Sequence, residues 1–247
     1  MRPIRVLVVE DSMLFRQLLV QSLSKDPGIE VVGTAKDPFE ARDAILEYKP
    51  DVMTLDVELP RMSGIEFLRK LIPQYPLPVV VISSLSDKVF DAMNAGAVDF
   101  VAKPSYTDRR QLENFVQSEL LVKIKIASTA KISKIKQKVV QEVPQNFVSK
   151  GKNLIIAIGA STGGTEAICS VMKDYGADLP GIVVVQHMPP GFTEMYARRL
   201  DNQCRVRVKE AQTGDRVLPG TVLIAPGGDK HMRVVKVNGN YQVEVVA

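Results

Sequence analysis

The chain has 247 residues, 45% hydrophobic and 24% charged, with 16 Gly and 15 Pro in no repeating pattern. That is the composition of a globular protein of one large or two ordinary domains, and it excludes a disordered or fibrous chain. The net charge of +4 is local: residues 123–152 carry eight lysines against the single acid Glu142, a balance of +7, which leaves −3 for the remainder. Phe147 is the only aromatic residue in that stretch, and no groove-reading motif accompanies it. It is therefore expected to be a solvated linker and not a nucleic-acid contact. No apolar run approaches the ~18 residues that span a bilayer, and the apolar start is interrupted by Glu10 and Asp11. A cytoplasmic chain without membrane insertion is expected. Cys169 and Cys204 are too few for a disulfide framework and lack metal-ligand spacing, so they are expected as free thiols.

From residue 4 to about 125, short apolar runs alternate with stretches of helical period. The runs fall at 5–9, 30–35, 51–55, 79–82 and 99–102, several with almost no polar alternation, as parallel strands covered on both faces require. Amphipathic stretches lie near 13–24, 38–48, 64–72 and 87–95, and a fifth follows from about 108 with Leu112, Phe115, Val116 and Leu120 on one stripe. Five βα units make a doubly wound α/β sheet. The expected division is a first domain over 1–122, a lysine-rich linker over 123–150 and a second α/β domain over 151–247. The second opens with a strand at 154–158, a helix from about 164 and a strand at 182–185. Further strands are expected at 205–208 and 221–225, and a hairpin pairs 234–237 with 241–245 around Asn238-Gly239. Ending as it does within a strand, this second α/β domain is expected to be incomplete.

Ligands of a doubly wound sheet gather at the carboxyl ends of its strands. There the first domain places Glu10 and Asp11 after strand 1, Asp56 after strand 3, Ser83 after strand 4 and Lys103 after strand 5. Converging carboxylates repel unless a hard cation neutralises them, and an all-oxygen site suits Mg²⁺. One carboxylate can then attack a phosphoryl group while a hydroxyl and an ammonium stabilise the developing charge. Taken singly, Asp11 and Ser12 would serve as a helix cap and Lys103 as a surface ion pair; five elements in five matching places favour the site. Over residues 4–125 the sequence resembles the response-regulator receiver family. The resemblance implies that Asp56 is the phospho-acceptor, that Glu10, Asp11, Asp56 and the Glu58 carbonyl hold the metal, that Ser83 and Lys103 contact the phosphoryl group, and that Phe100 is the aromatic switch residue. Glu10 stands where an Asp is more usual, one methylene longer with the same charge.

The second domain runs from a strand through Gly159-Ala160-Ser161-Thr162-Gly163-Gly164 into a helix. A Gly-x-Ser-x-Gly turn in that context reads as a nucleophile elbow, with the Thr162 amide able to face an oxyanion. A dinucleotide fingerprint would need glycine where Ser161 stands. The next strand ends in Gln186-His187-Met188-Pro189-Pro190; if the two strands are neighbours, His187 projects beside Ser161 as a general base. His231 is expected to be structural or at the substrate edge, and Cys169 packed. The stretches 156–168 and 186–193 resemble the chemotaxis protein-glutamate methylesterase family, as does the order receiver, linker, esterase. The resemblance implies hydrolysis of glutamate γ-methyl esters on chemoreceptors, deamidation of receptor glutamines, no cofactor for the ester chemistry, and a histidine kinase as phosphodonor. The family's triad aspartate lies in a Gly-Met-Gly-x-Asp-Gly loop about a hundred residues beyond His187. The chain carries no such loop, so the role passes to none of Asp201, Asp215 or Asp229, and this 247-residue form is expected to have little activity. A transcriptional regulator would carry a helix-turn-helix output in place of the serine elbow, while a non-catalytic phospho-receiver module remains the alternative.

Overall fold

The computed structural model describes residues 2–84, 86–104, 109–130, 154–176 and 178–247, without the side chains of 86, 87, 109, 111 and 112. The rest of the lysine-rich stretch after residue 130, and the Leu112 side chain, lie outside the described residues. The chain divides into two compact units, Met1–Lys136 and Gln137–Ala247.

In the first unit, β1 (Ile4–Val9), α1 (Met13–Leu23), β2 (Ile29–Ala35), α2 (Pro38–Tyr48), β3 (Val52–Asp56), α3 (Gly64–Leu71), β4 (Val79–Ser83), α4 (Ser86–Asn94) and β5 (Asp99–Ala102) alternate as expected. The sheet order is β2-β1-β3-β4-β5, every pair parallel. The helices start where the sequence offers acceptors for their unpaired first amides. Ser12 accepts from Phe15 N–H, Asp37 from Phe39 and Glu40 N–H, and Ser63 from Glu66 N–H. Strand residues of one alternation, Val6, Val8, Val52, Val80, Ile82 and Val101, form a core with Leu19 and Leu23 of α1 and with Val116, Leu120 and Ile124 near the end of the unit. Leu7, Val9, Met53, Leu55, Val79 and Val81, of the opposite alternation, are buried too, which is why these strands carry no polar face.

After β5 the chain forms α5 (Arg109–Phe115), one turn of π-helix at Val116–Leu120, and α6 (Leu121–Ala127). This corrects the expected domain end at residue 122. Ile124 and Ala127 are fully buried in the first unit's core, so 123–127 belong to it and not to a linker. Nor are the first two lysines of the basic stretch merely solvated: Lys123 reaches Asp99 at 3.1 Å and Lys125 reaches Asp26 at 2.6 Å.

The second unit contains β6 (Ile155–Ala160), α7 (Gly164–Lys173), β7 (Gly181–Gln186), α8 (Phe192–Gln203), β8 (Arg207–Glu210), β9 (Thr221–Ile224) and the hairpin β10 (His231–Val237) with β11 (Asn240–Val246). Its parallel sheet is ordered β6-β7-β9-β8. Helix α8 was not anticipated. It buries Phe192, Tyr196, Ala197 and Leu200, a helical stripe set among charged residues. Helices α7 and α8 lie side by side: the buried Tyr196 hydroxyl donates to Thr165 O at 2.8 Å, and Arg199 bonds Glu166 at 2.9 Å. The hairpin packs Val243 with Val183 and Leu223 of the sheet. Its Asn238-Gly239 turn takes positive φ at both residues, as a two-residue hairpin needs.

Candidate functional site

In the first unit the five expected residues do meet at one sheet edge. Asp56 closes β3 opposite Ile82, Ser83 closes β4 opposite Ala102, and Lys103 N–H donates to Ser83 O at 2.8 Å. The Lys103 ammonium is the hub: it lies 2.9 and 3.0 Å from the two Glu10 oxygens and 2.6 Å from Asp56 Oδ2. Glu10 and Asp56 are buried and Asp11 is exposed. Burial, with Asp56 close by, pushes the Glu10 carboxyl up to about 7 despite the Lys103 hydrogen bond. For Lys103 burial acts to lower its pKa, but hydrogen bonds to Asp56 and Glu10 outweigh it and hold the pKa above the usual lysine range.

One oxygen each from Glu10, Asp11 and Asp56 can lie within 4.8 Å of the others. With Lys103 counted, the ionised cluster carries −2, and its donors are all hard oxygens, so it fits a divalent cation such as Mg²⁺. Glu58 N–H donates to Asp56 Oδ1 at 2.9 Å, while its carboxylate accepts from Ser84 Oγ at 2.6 Å. Phe100 is buried, edge-on to Phe90 at 6.2 Å, with the Lys123 ammonium 5.1 Å from its ring. Three neighbours were not foreseen: Phe15, whose ring lies 4.7 Å from the Lys103 ammonium, Ser84 and Lys123. Each reaches its partner through the fold, so spacing along the chain carried no signal. A cavity of about 450 Å³ between α2 and α3, with Phe39, Leu46, Met62 and Tyr75 in its wall, contains none of the cluster.

In the second unit β6 and β7 are indeed neighbours. Their register ends at Ala160 opposite Gln186, and His187 N–H donates to Ala160 O at 3.3 Å. Ser161 and His187 therefore each stand one residue past the paired ends of adjacent strands, and both are exposed. The chain turns from β6 into α7 through Gly163 at φ +75°, a conformation that glycine takes without strain. The Ser161 carbonyl accepts Gly164 N–H at 2.7 Å and the Gln186 side-chain amide at 2.9 Å.

The loop after His187 is braced from another side. Gly227 packs so closely that a Cβ there would lie 2.5 Å from Met188 O and 2.6 Å from Pro189 O. Its N–H donates to Thr193 Oγ1 at 3.0 Å, and the buried Thr193 hydroxyl in turn bonds Glu210. His231 opens β10 opposite Val246. Asp201 accepts Val208 N–H at 2.7 Å, Asp215 accepts Gln212 N–H and the Lys209 ammonium, and Asp229 is exposed. The first two carboxylates are thus engaged elsewhere. Cys169 and Cys204 are free thiols. Cys169 is buried against Gln203 Oε1 at 3.2 Å, and burial pushes its pKa up, which suits packing and not nucleophilic attack.

Comparison with known proteins follows the same division. Residues 6–117 match the response regulator receiver domain and residues 156–246 match the CheB methylesterase domain, so the class is a receiver joined to an α/β carboxylic ester hydrolase. A protein-glutamate methylesterase/protein-glutamine glutaminase of Syntrophomonas wolfei is 58% identical over 244 residues, covering 99% of this chain and 71% of that relative. One from Syntrophotalea carbinolica is 53% identical over 252 residues, with 98% and 71% covered. One from Salmonella typhimurium is 44% identical over 250 residues, with 99% and 71% covered. The chain belongs to the protein-glutamate methylesterase/protein-glutamine glutaminase family. Among the described residues no helix is long and apolar enough to cross a membrane.

Proposed function

We propose that this protein is a phosphorylation-controlled cytoplasmic hydrolase that cleaves glutamate γ-methyl esters on chemoreceptors, releasing methanol, and deamidates receptor glutamines to the same carboxylate. The observation that carries the reading is the β6–β7 register, which sets Ser161 beside His187. Ser161 Oγ attacks the γ-carbonyl while His187 takes its proton, and the Thr162 N–H donates to the oxyanion. His187 returns the proton to the leaving methoxide or amine, and water then clears the acyl-enzyme by the same route in reverse. Both exposed side chains are open to a substrate that is itself a protein.

Control enters through Asp56. Its carboxylate takes a phosphoryl group from a histidine kinase, Ser83 and Lys103 contact the transferred oxygens, and Phe100 responds as the aromatic switch residue. Glu10, Asp11, Asp56 and the Glu58 carbonyl would hold Mg²⁺, which supplies neutralisation of charge on the phosphoryl oxygens. Phosphorylation raises the esterase rate and does not create it, because the nucleophile and base belong to the other unit.

The test is methanol release from methylated receptor by the full-length protein. Ser161→Ala and His187→Gln should each lose about 10⁴-fold or more, while Asp56 still takes up phosphate. Wild-type methanol release by Ser161→Ala would overturn the reading.

A further inference from the structure

The residue before the general base is a buried glutamine whose bonding is unusual. Gln186 closes β7 and is 6% exposed. Its side-chain nitrogen donates to Ser161 O at 2.9 Å and to His187 O at 3.4 Å, so one planar amide ties together the carbonyls of both proposed catalytic residues. Its oxygen is buried with no hydrogen-bond partner. It faces the first residue of α7, so close that a Cβ on Gly164 would lie 2.0 Å from Gln186 Oε1. An unpartnered buried carbonyl loses its hydration without a replacement bond, and a methionine would fill similar space without that cost. The positive end of α7 offsets part of it. What methionine could not supply is the pair of donors.

Those donors have a geometric consequence. In a trans peptide the C=O and the following N–H point in opposite directions. The Ser161 carbonyl is held inward by two donors, the Gly164 N–H and the Gln186 amide. The peptide that joins Ser161 to Thr162 therefore cannot rotate, and the Thr162 N–H must point away from Gln186. We propose that Gln186 is a positioning residue for the ester chemistry: by anchoring the Ser161 carbonyl it aims the Thr162 N–H at the developing oxyanion. This rests on the reading of Ser161 as nucleophile. Gly164 is part of the same device, because any larger residue would displace the glutamine amide.

The experiment compares Gln186→Met, Gln186→Glu and Gly164→Ala with wild type in the full-length protein. Competent sites are counted by Ser161 titration with a fluorophosphonate, and kcat and KM are measured for methanol release from methylated receptor. The expected result is a kcat per titrated site lowered by about 10–100-fold, short of the 10²–10³ for outright loss of an oxyanion donor. KM should stay within about twofold. Gln186→Glu keeps the shape but offers only acceptors when ionised, so it should fall at least as far as Gln186→Met. A merely structural glutamine would lower the number of titratable sites and leave kcat per site at the wild-type value, and that result would overturn the proposal. Should Gln186→Met fold poorly, Gly164→Ala gives the same reading from the other side of the contact. Failure of the underlying site looks different, with Ser161→Ala itself retaining methanol release.

Discussion

The two strand-end edges solve opposite problems. In the first unit Glu10 and Asp56 are 1% and 2% exposed and are held by one ammonium. In the second, Ser161 and His187 stand exposed, and among the described residues the buried polar ones of that unit are Thr165, Gln186 and Thr193. Converging charges need a dry, prearranged partner, because repulsion between carboxylates is weakened little by surrounding protein. A neutral hydroxyl needs no such shelter, and a macromolecular ester can reach it only in the open. What must be rigid there is the backbone that carries it.

The contrast breaks most sharply at Asp56. Asp56→Asn should abolish phosphate uptake from a small phosphodonor with Mg²⁺ while basal methanol release is retained, since the proposed nucleophile, Ser161, belongs to the other unit. Labelling that survives this substitution would remove Asp56 from its role.

Lys103→Met comes next. It leaves two buried carboxylates without their shared cation, and losing one partner of a buried ion pair costs about 3–5 kcal/mol. Urea unfolding without Mg²⁺ should show a loss of that order, largely restored by adding the cation, and an unchanged midpoint would contradict the hub geometry.

A smaller effect tests the Glu10 environment. Its folded-state pKa of about 7 exceeds the ordinary value of 4.5, so the protonated form favours the folded state. That stabilisation is complete below about pH 4.5 and is lost as pH rises through 7. The cation-free first unit should therefore lose on the order of 1–3 kcal/mol between pH 5 and pH 8, and Mg²⁺ should stabilise it more at pH 8 than at pH 6. Stability that is flat or rising over this range would contradict the burial of Glu10 as the cause.

The smallest effect is expected at Cys169. Replacement by alanine should leave methanol release within about twofold and cost about 1–2 kcal/mol of second-unit stability. Cys204, which is only partly buried, should be alkylated first.

The same contrast governed how much could be read before the structure. The first sheet was legible because strands buried on both faces are written as unbroken apolar runs, and its site because each strand end carries a residue with marked chemistry. That Ser161 and His187 stand at the ends of neighbouring strands was legible for the same reason. The end of the first unit was not, because Lys123 and Lys125 look like solvated charge until Asp99 and Asp26 are brought to them by the fold. Helix α8 was obscured by its charged face, although Phe192, Tyr196, Ala197 and Leu200 spell a buried stripe. Gln186 was beyond reach, since its importance lies in a strand register and a contact with Gly164.

Intact-mass and peptide mass spectrometry of the full-length protein treated with a small phosphodonor, Mg²⁺ and a fluorophosphonate tests the division into two chemically separate sites most directly. Two additions are expected, one phosphoryl on Asp56 and one phosphonyl on Ser161, with Asp56→Asn removing only the first and Ser161→Ala only the second. A phosphonyl group on another residue, or one substitution that removes both additions, would contradict it.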